Sequence, residues 1–281
     1  MTRFVNNLKT AVLLGALFGL ILLVGSYWGR SGLIMAFLFG GAMNVVAYFY
    51  SDKIALASMR GREVDESSAR DLYQMIGRLA RNANLPMPRV YICPQEAPNA
   101  FATGRNPNHA AVAVTQGALR LLTYEELEGV MAHELAHVKN RDTLTSCIAA
   151  TIAGALNALA WMAFWFGGGN NRQSGNPLVM LILLLISPIA AGLIQMAISR
   201  SREFVADADG ARIAGTPYGL MSALQKLDAM ARQIPMTNEM PTQNHMFIVQ
   251  PLSGKAVGGL SRLFMTHPPL EERIARLSEL A

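Results

Sequence analysis

The chain has 281 residues, of which 52% are hydrophobic and only 15% charged, against about 25% charged in typical globular domains. Ample apolar material excludes a disordered chain, and a cysteine count limited to Cys93 and Cys147 excludes a disulfide-stapled secreted module. The formal charge of +5 and pI near 9.4 leave open a nucleic-acid partner or an anionic membrane surface.

The acids are unevenly placed. None precedes Asp52, and none lies between Thr143 and Arg202. Four apolar stretches occupy these gaps, at residues 11–28, 31–50, 143–166 and 178–198. Each approaches or exceeds the roughly 18–20 apolar residues that cross about 30 Å of hydrocarbon. Pro188 in the fourth is tolerable in a bundle, where neighbours satisfy the freed carbonyl. The first has a basic start, Arg3 and Lys9, but no convincing small-x-small cleavage site after Val24, so it reads as an anchor. The spans form two hairpins, turning at 29–32 and 167–177.

An even number of crossings puts the N-terminus and both polar stretches on one side. The turns hold only Arg30 and Arg172, and the other 22 of 24 Lys and Arg lie on the opposite side. The positive-inside rule makes that side cytoplasmic. Residues 51–142 and 199–281 hold 20 bases and 19 acids, so they are nearly neutral. The basic excess is Arg3, Lys9, Arg30 and Arg172, beside or between spans. No basic stripe with interleaved aromatics supports a nucleic-acid partner.

In the first polar stretch, Leu72, Met75, Ile76, Leu79 and Ala80 predict a helix over 65–84, with Asp65 as N-cap and Pro86 and Pro88 closing it. Residues 89–93 read as a strand and 94–104 as a loop. Residues 109–115 read as a second strand, buried on both faces or lying at a covered edge. Thr123 and Glu126 form a capping-box pattern, so a helix starts near Tyr124 and runs through residues 127–140. After the fourth span the helical pattern continues to about Gly215, and 218–232 form an amphipathic helix. Residues 233–256 are polar and Met-rich, and 268–281 open on two prolines and end as a short helix.

Residues 133–137 read His-Glu-Leu-Ala-His. On a helix, His133 and His137 stand one turn apart on one face, where two imidazoles can hold one Zn²⁺. Glu134 is rotated about 100° away and can take a proton from a metal-bound water. A catalytic zinc needs a third protein ligand and an open position. Glu203 is the candidate, because it lies just beyond the fourth span as His137 lies just before the third. Asp207, at i+4 from Glu203, can accept a hydrogen bond from a ligating imidazole. Taken alone, such an acidic pair would be a solvated helix face. Asn140 and Asp142 are explained equally well as a polar cluster at a helix end.

With these residues the chain resembles the HtpX-type membrane zinc metallopeptidases, relatives of the CAAX prenyl proteases and minimal gluzincins. The resemblance covers essentially the whole chain. It rests on residues 99–104 (NAFATG), 133–137 (HELAH), 201–207 (SREFVAD), and 266–269 (THPP) followed by Glu272, Arg273 and Ile274. Val205 departs from the polar or histidine residue often seen there. The resemblance implies that Ala110, Ala111, Val112, Ala113 and Val114 form an edge strand pairing with substrate backbone. It places His267 near the zinc as an oxyanion stabiliser, with Arg273 as its neighbour. It also implies a bacterial inner-membrane location and a role in protein quality control.

The expected architecture is a mainly α membrane protein, with four transmembrane helices in two hairpins and a cytosolic α+β gluzincin-like zinc protease domain. Residues 1–50 form the first hairpin, 51–142 the first part of the catalytic domain, 143–198 the second hairpin, and 199–281 the second part. The expected activity is zinc-dependent endoproteolysis, one zinc per chain, on misfolded or damaged membrane proteins or unfolded polypeptides at the cytosolic face. A zinc-binding membrane scaffold, with His267 filling the fourth position, is the competing reading. A transporter is disfavoured, because the spans carry no ionisable residue.

Overall fold

A computed structural model describes residues 29–146, 148, 200–233 and 268–281, with scattered positions among the first 28. The predicted fourth span, most of the first and third, the polar segment beyond residue 233, and His267 lie outside the described residues.

Helix α1, Gly29–Ser58, is long and apolar enough to cross a membrane. Large apolar side chains stand exposed along it, from Leu33, Ile34 and Met35 through Phe37, Leu38 and Phe39 to Phe49 and Tyr50. Water would penalise such a surface, whereas lipid matches it. Asn44 Nδ2 donates to the Leu14 carbonyl (3.3 Å), and the Phe18 and Phe37 rings meet edge-on at 5.5 Å. These contacts place Leu14 and Phe18 against α1 in antiparallel order. The helix continues to Ser58, past the predicted boundary at residue 50. Its last turns are amphipathic: Leu56, with Met59 just beyond, joins Tyr91, Cys93, Phe101, Ala111 and Ala113 in a buried cluster under the sheet.

The sheet has four strands in the order β1-β2-β4-β3. They are β1 (Arg62–Val64), β2 (Arg89–Cys93), β3 (Ala100–Thr103) and β4 (Ala111–Thr115). β2 runs parallel to β4 and antiparallel to β1, while β3 runs antiparallel to β4. β3 falls where a loop was expected, because four residues between a proline and a glycine give no measurable alternation. A 3-10 turn, Pro107–His109, delays the start of β4.

One expectation is corrected here. β4 is not an edge strand. Each of its five residues is paired with β2 on one side, four also face β3, and the Ala110 carbonyl accepts from the Arg89 N–H at 3.1 Å. Ala110, Ala111, Val112, Ala113 and Val114 therefore have no ladder left to offer a peptide. Among the described residues, the strand with an open side toward Glu134 is β3.

Helix α2, Arg70–Asn82, buries the five apolar residues that its spacing predicted. It starts later than expected. Asp65 caps a turn instead, accepting from the backbone N–H groups of Ser67 (3.1 Å) and Ser68 (2.9 Å). Helix α3, Gln116–Leu121, follows β4 and was not anticipated. Helix α4, Tyr124–Asn140, begins on the predicted capping box of Thr123 and Glu126. Around it pack α5 (Arg200–Ala214), α6 (Tyr218–Gln233) and α7 (Leu270–Ser278). Leu79, Val130, Met131, Leu135, Leu220, Leu224 and Leu277 belong to their common core. One glycine sets the α4–α5 spacing: a Cβ on Gly210 would lie 2.9 Å from the His133 Cα. Only a residue without a side chain lets α5 approach α4 at that point.

Candidate metal centre

α4 carries His133 and His137 on one face, and α5 brings Glu203 across from them. His133 Nε2 and His137 Nε2 lie 3.2 Å apart. Glu203 Oε2 is 3.7 Å from the first, and Oε1 is 3.6 Å from the second. Ligands held tetrahedrally at about 2.0–2.1 Å from one cation stand about 3.4 Å from each other. The three side chains thus converge on a single point at metal-ligand spacing, and they are placed to bind a metal ion. Both His133 and Glu203 are buried. Two imidazoles and a carboxylate facing inward without a cation would be a costly arrangement to bury.

The outer nitrogen of each imidazole faces a carboxylate. His133 Nδ1 lies 3.0 Å from Asp207 Oδ1. Arg273 on α7 holds that carboxylate from two points, Nε at 2.8 Å and Nη2 at 2.6 Å. His267, the neighbour expected of Arg273, lies outside the described residues; the Arg273 guanidinium is bound to Asp207, and all three side chains of this chain of contacts are about 2–3% exposed. An Nδ1–H donated outward leaves Nε2 as the lone-pair atom aimed at the centre.

His137 has a matching support that the sequence did not reveal. Arg141 ends α4 in the left-handed conformation (φ 59°), turning the chain back so that Asp142 Oδ2 lies 3.1 Å from His137 Nδ1. Arg202 Nη1 donates to the other Asp142 oxygen at 3.3 Å. Burial opposes charge on His137, but Asp142 and Glu203 outweigh it and raise its pKa to about 9. Metal binding at neutral pH must then displace a proton from this ring. Asp142→Ala is expected to weaken metal affinity about 10–100-fold. Asp142→Asn, which keeps an acceptor oxygen, should lose less. Competition against a chelating dye measures both, and unchanged affinity in the alanine variant would remove Asp142 from this role.

Glu134 is rotated about 100° from His133 around α4, which turns it from the metal-ligand cluster toward the sheet. Its Oε2 accepts the Ala102 N–H of β3 at 2.8 Å. Burial pushes its carboxyl pKa up, against the lowering effect of the two histidines. The result is a buried carboxylate of raised basicity between the metal-ligand cluster and an open strand edge, which is what a general base requires.

Comparisons with known proteins agree with this geometry. The model of "Peptidase family M48" matches residues 66–281. A "Protease HtpX homolog" of Desulfatibacillum aliphaticivorans is 55% identical over 280 residues, covering 97% of this chain and 89% of its own. Its counterpart from Pelotomaculum thermopropionicum is 51% identical over 284 residues, covering 98% and 99%. Among solved structures, S. mikatae Ste24p is similar at TM-score 0.52 and 17% identity, over 98% of this chain and 66% of that one. That last likeness concerns the fold alone. With a family match reaching from residue 66 to the C-terminal residue and relatives more than half identical over nearly all of it, the chain belongs to peptidase family M48 and is a metalloprotease.

Proposed function

We propose that this metalloprotease is a multi-pass protein of the bacterial cytoplasmic membrane that cuts misfolded or damaged membrane proteins at their cytosolic face, using one zinc ion per chain. The observation that carries the reading is the convergence of His133, His137 and Glu203, with Glu134 beside them, in a domain whose sheet packs on the end of an apolar helix. Two imidazoles and one carboxylate with a position left open are a common ligand set of catalytic zinc. The second predicted hairpin, 143–198, would be an insertion into one catalytic domain. In support, α4 from before it and α5, α6 and α7 from after it share a core.

Bound zinc would lower the pKa of a water toward ~7 and polarise the scissile carbonyl. Glu134 is the residue that would take a proton from the attacking water and deliver it to the leaving amine. The peptide lies along the outer side of β3, which takes over the pairing role expected of residues 110–114. Asp207 and Asp142 hold the tautomers of His133 and His137. His267 is assigned the stabilisation of the oxyanion, on the family resemblance.

The test is reconstitution of the zinc-loaded protein in liposomes with an unfolded membrane protein. Cuts should map to segments on the side of the catalytic domain, stop with a chelator and resume with zinc. Cleavage confined to the opposite side, or indifferent to chelation, would overturn the reading.

A further inference from the structure

We propose that β3 holds its peptide along the membrane normal, with the residues N-terminal to the cut toward the bilayer. Preferred sites then lie within a few residues after the end of a membrane span. The inference rests on the membrane-substrate reading above and adds direction and position to it.

The strands run alongside the last turns of α1. At one end, Arg89 opens β2 and pairs with Asp52 (2.9 Å). At the other, Cys93 Sγ lies 3.4 Å from where a Cβ on Gly61 would stand, and just past it Gln95 Nε2 donates to the Met59 carbonyl at 3.0 Å. Register carries these levels across the sheet. Arg89 faces Ala111, which faces Thr103, so Thr103 stands at the Asp52 level. Ala100 faces Val114, which faces Ile92, so Ala100 stands near the Gly61 level. β3 therefore points its C-terminal end back toward the apolar part of α1.

The next residues reach the membrane boundary itself. Arg105 stacks over the Phe49 ring at 5.3 Å, and Phe49 is 46% exposed among the aromatic residues that end the apolar surface. Tyr48, Phe49 and Tyr50, with Lys53 over the Tyr50 ring, have the aromatic and basic character of a bilayer interface. The Gly104 carbonyl accepts from Thr143 Oγ1 at 2.9 Å, at the first residue of the third apolar stretch. The β3–β4 turn thus touches both the aromatic end of the apolar surface of α1 and the first residue of the third predicted span.

Ala102, whose N–H meets Glu134, fixes the reacting level on this strand. It lies three residues before Arg105, about 10 Å along an extended chain. A peptide added to the open side of β3 pairs antiparallel in the more stable arrangement. Its N-terminal half then lies beside Thr103 and Gly104, toward the bilayer, and its C-terminal half beside Ala100. A span that ends in the membrane can feed its following segment into this site directly. A segment that precedes a span would have to pair parallel or double back.

The experiment uses the full-length zinc-loaded protein in phosphatidylethanolamine–phosphatidylglycerol liposomes. Two single-span reporters carry the same unstructured tail on the catalytic side, one after the span and one before it, and soluble casein is the control. The tail that follows its span should be cut about tenfold faster or more, at sites within about five residues of the span by the ~3.3 Å rise of an extended chain. Equal rates, faster cutting of the preceding tail, or cuts scattered along the tail would overturn the polarity while leaving the membrane-substrate reading intact. Cleavage of casein with neither tail cut would overturn both.

Discussion

Glu134→Gln is expected to lower peptide cleavage by about 10²–10⁴-fold, the share that a positioned acid–base group contributes, with metal content unchanged. The substitution is close to isosteric. The amide oxygen can still accept the Ala102 N–H, now taken by the carboxylate at 2.8 Å, so the position of the side chain between α4 and β3 is kept. What is lost is the ability to accept a proton. Because burial already raises the Glu134 pKa, removing its charge should not weaken the fold. Melting temperature and elemental analysis separate these effects from activity. A variant that kept near-normal turnover would show that the proton goes elsewhere. Glu134→Asp sharpens the test: it keeps the charge but withdraws the carboxylate by one methylene, and it too should be severely impaired.

The parts of this protein that could be read in advance are those whose chemistry is local in sequence. The two histidines one turn apart, the Thr123–Glu126 cap and the buried spacing of α2 each declare themselves within a few residues. Glu203 and Asp207 are farther away, but their own i,i+4 spacing and their place after the predicted fourth span marked them. Asp142 was hidden because its approach to His137 depends on a left-handed turn at Arg141, a residue with no glycine or asparagine signature. The edge of the sheet was misread for a related reason. A run of buried small residues such as 110–114 suits an interior strand and a covered edge equally, and only the pairing of a four-residue β3 decides between them. The end of α1 was hidden by continuity, since its membrane-like and sheet-binding halves form one unbroken helix.

Arg273→Met is expected to destabilise the protein by about 3–5 kcal/mol, the usual cost of stranding one partner of a buried ion pair, and to weaken metal binding as well. Against a total stability of about 5–15 kcal/mol, that is a large loss for one side chain on a short terminal helix. Arg273 is 2% exposed, and its guanidinium engages both oxygens of an equally buried Asp207. Burial pushes the Asp207 carboxyl pKa up, but Arg273 and then His133 hold it below the usual carboxylate range. The sign of the pH dependence follows. A depressed carboxylate contributes stability above its unfolded pKa of about 3.9 and loses it as pH falls through the lower folded value. The gap between wild type and Arg273→Met should therefore be widest near neutral pH and close in acid. Adding Asp207→Asn to Arg273→Met should recover much of the stability, because no charge is left stranded. It should not recover metal affinity, because the neutral amide polarises the His133 Nδ1–H less than a carboxylate does. Unfolding followed with and without zinc reads both quantities. Equal stability of Arg273→Met and wild type would sink the buried-pair account. Recovery of fold without recovery of metal would assign α7 its part: it anchors the carboxylate that aims His133.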